Sequence, residues 1–111
     1  MTDILLIHGA WHGGWCWDGV ADALRALGHG VACPDLPDEP GTTLADCVAS
    51  LPGAPVVLGH SMGGIVAEAL AQRHPVRLLI HLCSYLPHAG DSLARLDRLH
   101  PSPPRAWPRD A

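Results

Sequence analysis

A serine hydroxyl is a weak nucleophile at neutral pH unless a base takes its proton, its oxygen is exposed, and donors hold the charge that develops on the substrate. Gly59-His60-Ser61-Met62-Gly63-Gly64 has the spacing that meets the geometric part of this demand. A sharp strand-to-helix turn puts the serine in a strained backbone conformation and crowds the residues two before and two after it, and glycine at both positions relieves the crowding. The flanks agree: apolar Pro55 to Leu58 precede the motif, and Ile65, Val66, Ala69 and Leu70 follow it on one helical face. Ser61 is therefore expected at the N-terminus of a helix, where the dipole favours negative charge. The plainer alternative is a glycine turn without chemistry.

A second glycine-rich stretch, His8-Gly9-Ala10-Trp11-His12-Gly13-Gly14, follows the short apolar run Ile4 to Ile7. If the first strand lies between the second and third, both loops open at one sheet edge, at a topological switch point. The backbone N–H groups of Ala10 and Met62 are then the expected oxyanion donors, each worth roughly 3 kcal/mol to a tetrahedral intermediate. His8 is expected to be buried and to tie down the loop backbone. Trp11 suits an apolar acyl or alcohol pocket. For His12, pocket lining and loop support both stand, and Trp15 and Trp17 are expected to pack at the start of the first helix. His8 and His12 are four apart, but the glycines around them exclude a helix face, so no metal site is expected.

Four strand signals and three helix signals position these residues. Ile4 to Ile7 reads as a strand buried on both faces, and Gly30 to Cys33, Pro55 to Leu58 and Leu78 to Cys83 read as further short strands. Val20, Ala23, Leu24 and Leu27 share a helical face, with Asp18 as its cap and Gly28 at its end. Thr43 and Asp46 resemble a capping box ahead of Leu44, Cys47, Val48 and Leu51, and Pro52-Gly53 stops that helix. The helix after Ser61 ends near His74, before Pro75. The order βαβαβαβ implies a parallel sheet with right-handed crossovers. Beyond Tyr85, Asp91-Ser92 is placed to cap a helix carrying Leu93, Leu96 and Leu99, and the last eleven residues hold Pro101, Pro103, Pro104 and Pro108.

With 111 residues the chain is sized for one small domain, and its 48% hydrophobic content argues against disorder throughout. A net charge of −4 lacks the basic face that nucleic acid requires. It gives no reason to expect an anionic membrane surface as partner, and no run approaches the roughly 18 apolar residues of a membrane span. Asp3 and the brief apolar run after it make a poor signal peptide, so the expected compartment is the cytoplasm. Cys16, Cys33, Cys47 and Cys83 form no CxxC pair and are expected as buried, reduced thiols.

The two glycine motifs together, His8 to Trp17 and Gly59 to Gly64, resemble the α/β-hydrolase family, and more closely a bacterial branch similar to plant methylesterases and hydroxynitrile lyases. The resemblance runs from residue 3 to about residue 97, where Leu86-Pro87 and Gly90-Asp91-Ser92-Leu93 look like the start of a cap region. It implies a truncated α/β-hydrolase fold of about four parallel strands with flanking helices. Residues 1–85 would be the N-terminal half of the core, 86–100 the start of the cap, and 101–111 an irregular proline-rich tail. It also implies Ser61 as nucleophile, Ala10 and Met62 as oxyanion donors, a small-molecule ester as substrate, and no metal or organic cofactor. The lyases of this group carry threonine where this chain has Gly9 and glutamate where it has His60, so the ester-hydrolysing side is the nearer likeness.

The family's triad runs Ser, then Asp or Glu, then His, the last two after later strands. The chain extends 50 residues past Ser61 (111 − 61). Its base and acid are therefore expected to be missing, since His88 and His100 follow no strand, and the site some members use for the acid reads Ser84-Tyr85. One expectation for the tail is a frameshift or premature stop in a GC-rich gene. The fourth strand would be an open edge inviting self-association. The expected function is a carboxylic ester hydrolase acting through an acyl-Ser61 intermediate and incomplete in this chain. The alternative is an inactive truncated homologue or a small binding remnant.

Overall fold

The computed structural model describes residues 2–84. Within them lie β1 (Asp3–Ile7), a 3₁₀ turn (Gly14–Trp17), α1 (Asp18–Ala26), β2 (Gly30–Ala32), α2 (Leu44–Ala49), β3 (Val56–His60), α3 (Met62–Ala71) and β4 (Leu78–Leu82). The helix expected at Leu93 to Leu99, the cap and the tail lie outside the described residues.

The four strands are all parallel, in the order β2-β1-β3-β4. The chain leaves β1 for one neighbour and returns on its other side, so the first strand does sit between the second and third. Side chains alternate across a strand, and β1 uses both faces. Leu5 and Ile7 join the main core with Leu36, Cys47, Val48, Leu51, Val57, Val66, Ala67 and Leu70, contributed largely by α2 and α3. Leu6 turns the other way and is equally buried, as are Trp17 and Ala21. On that side the 3₁₀ turn packs on β1 and α1 on β2.

Strand ends differ from the sequence reading by one or two residues. β3 continues through Gly59 and His60, because parallel pairing with β1 and β4 holds the backbone extended up to the turn. At α1 the difference is larger. Asp18 is the first helical residue and makes no side-chain cap; Trp17 occupies the cap position after the 3₁₀ turn. The covered face is Trp17, Ala21 and half-buried Leu24, whereas Val20, Ala23 and Leu27 point to solvent, Leu27 with 75% of its surface exposed. The spacing identified a face correctly as apolar, but the sheet covers its neighbour.

The capping box at α2 forms as read. Thr43 Oγ1 accepts from Asp46 N–H at 3.1 Å and Asp46 Oδ2 accepts from Thr43 N–H at 2.9 Å. The Thr43 backbone N–H first, and the Thr43 hydroxyl second, favour the ionised Asp46 carboxylate and hold its carboxyl below its ordinary value. A carboxyl lowered in the folded state adds stability above its unfolded pKa and loses it as pH falls through the folded one. Thr43→Ala should cost about 1 kcal/mol at neutral pH, and the deficit should shrink on acidification, as urea melts at both pH values would show.

None of the four cysteines is in a disulfide, and only Cys47 is buried; Cys16 and Cys33 are half-buried and Cys83 is exposed past the end of β4. Burial pushes the Cys16, Cys33 and Cys47 thiols up. Since the thiolate is the reactive form, iodoacetamide at neutral pH should alkylate Cys83 before the other three, with peptide mass spectrometry reading the order.

Candidate active site

Ser61 joins β3 to α3 at φ 55°, ψ −120°, a left-handed φ that costs a non-glycine residue energy. Its N–H donates to the Leu82 carbonyl of β4 at 3.2 Å, and its carbonyl accepts from Gly64 N–H at 3.0 Å. The two motif glycines are required by contact. A Cβ on Gly59 would overlap the Gly63 carbonyl and lie 2.7 Å from Gly64 Cα, and one on Gly63 would overlap the Ile7 carbonyl and lie 2.6 Å from that of His8. The elbow therefore closes on itself and on the end of β1.

The first glycine loop packs directly against this turn. A Cβ on Gly9 would stand 3.1 Å from both Ser61 Cβ and the His60 carbonyl. His8 anchors the loop as expected. It is buried, Leu36 N–H donates to its Nε2 at 2.9 Å, and its Nδ1–H must then donate to the Gly9 carbonyl at 2.7 Å. Asp35 Oδ1 accepts from Gly14 N–H at 2.7 Å and fixes the far side of the loop.

A cleft of about 670 Å³ opens here, and Ala10, Trp11, His12 and Met62 all line it. Leu36, Leu44, Ile65 and Val66 form apolar wall, while Asp38 and Glu39 are carboxylates on its rim. Met62 is the first residue of α3, so its N–H has no acceptor one turn back. Trp11 is 77% exposed with φ 62°. His12 lines the cleft, and its N–H donates to the Gly9 carbonyl at 3.3 Å. Trp17 packs inward, edge-on to His60, as expected, but Trp15 does not. Trp15 stays 60% exposed and stacks on the His12 ring at 5.6 Å, because the 3₁₀ turn points alternate tryptophans apart. Among the described residues no imidazole hydrogen-bonds to Ser61 Oγ, and no cluster of three or more ligating side chains could hold a metal ion. No helix among them is long and apolar enough to cross a membrane.

A chain of side-chain hydrogen bonds that the sequence did not announce links Glu68 on α3, His81 on β4 and Ser84. The parallel pairing of β3 with β4 brings them together across 16 residues, and no spacing signal marks it.

The family model for the alpha/beta hydrolase family matches residues 4–111. A carbendazim-hydrolysing esterase of a Nocardioides species is 36% identical over 86% of this chain and 47% of its own length. A pyrethroid hydrolase of Sphingobium wenxiniae is 38% identical over 81% of this chain and 38% of its own length. Among solved structures, an extracellular alpha/beta-hydrolase from a Paenibacillus species superposes with a TM-score of 0.69 at 28% identity, covering 79% of this chain and 43% of that one. The chain spans less than half the length of these relatives. Four parallel strands with flanking helices, a glycine-framed strand-to-helix turn and these matches agree: the chain belongs to the alpha/beta hydrolase family.

Proposed function

We propose that the protein is a carboxylic ester hydrolase in which Ser61 Oγ attacks the ester carbonyl and forms an acyl-enzyme. The observation that carries this is the strained Ser61 backbone at the mouth of α3, with the Gly9 loop packed against it. In the proposed mechanism the N–H groups of Ala10 and Met62 hold the oxyanion. The Met62 donor is reinforced by the positive end of the α3 dipole, and such donors are worth most where water is excluded. The apolar wall suits an uncharged small-molecule ester, and the carboxylates on the rim disfavour an anionic one. The names of the relatives, a carbendazim-hydrolysing esterase and a pyrethroid hydrolase, support an ester-cleaving role without fixing the substrate.

The lack of an imidazole on Ser61 Oγ among the described residues favours a second reading. In it the chain is a catalytically inactive homologue that keeps the cleft as a small binding site. Mixing the full chain with p-nitrophenyl butyrate separates the two. The first predicts a burst of about one equivalent of p-nitrophenol, with the butyryl group on Ser61 and absent from Ser61→Ala. A folded chain that gives no butyryl-Ser61 supports the second.

A further inference from the structure

His81 on β4 holds Nε2 2.9 Å from Glu68 Oε1 and Nδ1 3.0 Å from Ser84 Oγ. A carboxylate can only accept, so in the neutral ring Nε2 carries the proton and Nδ1 presents its lone pair. The Ser84 O–H therefore donates to Nδ1. A hydroxyl bonded to an imidazole whose other nitrogen is held by a carboxylate is the arrangement that makes a serine nucleophilic. All three residues are partly exposed. The backbone leaves room for the hydroxyl only because residue 64 is glycine: a Cβ there would overlap Ser84 Oγ and lie 2.8 Å from His81 Nδ1.

We propose that Ser84, His81 and Glu68 form a second activated hydroxyl, separate from Ser61, that accepts an acyl or phosphonyl group from small activated esters. Ser84 Oγ attacks the electrophilic carbon or phosphorus as its proton passes to His81 Nδ1. The resulting imidazolium is stabilised by the Glu68 carboxylate, and Nδ1–H returns the proton to the departing group. An ester leaves acyl-Ser84 and free alcohol; a fluorophosphonate leaves phosphonyl-Ser84 and hydrogen fluoride. The inference does not rest on the role given to Ser61.

The test uses the full chain carrying Ser61→Ala and a fluorophosphonate probe, with trypsin digestion and fragmentation to the residue. The chain has no lysine, so Ser61 and Ser84 fall in different tryptic peptides, 26–73 and 78–95. The expected result is an adduct on Ser84 whose rate falls about 100-fold in His81→Asn, which keeps a polar group toward Ser84 but is no base. Glu68→Gln, which preserves length and an acceptor, should slow it about tenfold and serves alone if His81→Asn does not fold. No adduct on Ser84 in folded Ser61→Ala overturns the proposal. So does an adduct rate unchanged in a folded His81 or Glu68 variant, the result expected if the three side chains only pin α3 to β4.

Discussion

Gly63→Ala should leave the chain unfolded or close to it. The added methyl would enter the space of two backbone carbonyls at the end of β1, those of Ile7 and His8. A flexible side chain can swing away from such an intruder, but a carbonyl held in a parallel ladder cannot move without disturbing β1. Overpacking against side chains typically costs 1–3 kcal/mol, and a backbone obstacle should exceed about 3 kcal/mol, a large part of the roughly 5–15 kcal/mol that holds a small domain together. The control is Gly19→Ala on α1, where nothing lies within 4 Å of an added Cβ. There the methyl only raises helix propensity, and stability should rise by up to about 1 kcal/mol. Far-ultraviolet circular dichroism with urea titration reads both changes, which should have opposite signs.

Leu70→Ala should cost about 2–5 kcal/mol, the range for truncating a fully buried leucine whose cavity cannot collapse. Leu70 is fully buried on α3, in the cluster that joins Leu5, Ile7 and Val57 of the sheet to Val48 and Leu51 of α2 and its end. The expected reading is a lower urea midpoint with little change in slope. Leu27→Ala gives the contrast. Leu27 follows α1 and is mostly exposed, so its truncation should stay within about 0.5 kcal/mol. From spacing alone both leucines belong to apolar helical faces.

That contrast marks how far the sequence could be read. Local chemistry was legible where the pattern names its own contacts. Thr43 and Asp46 answer each other across one turn, and Gly59 and Gly63 stand where an elbow must shed its side chains. The parallel sheet was legible too, since short apolar strands alternate with helices, while the placing of β1 between β2 and β3 entered only as a condition that the structure meets. Periodicity says which residues share a face and is silent on which face the sheet covers. α1 was misassigned for that reason, with the preceding 3₁₀ turn adding a rotation that no helical repeat contains. Trp15 was lost to the same turn. Glu68, His81 and Ser84 were invisible because they meet only when β4 pairs in register with β3 and α3 lies across it.

The central claim is the proposal that Ser61, held in the strained turn against the Gly9 loop, acts as a nucleophile. Treating the unmodified chain with a fluorophosphonate and mapping peptide 26–73 tests it most directly. The account predicts an adduct on Ser61, not on Ser50 in the same peptide, suppressed by excess uncharged ester and absent from Ser61→Ala. A folded chain whose Ser61 stays unmodified would contradict it.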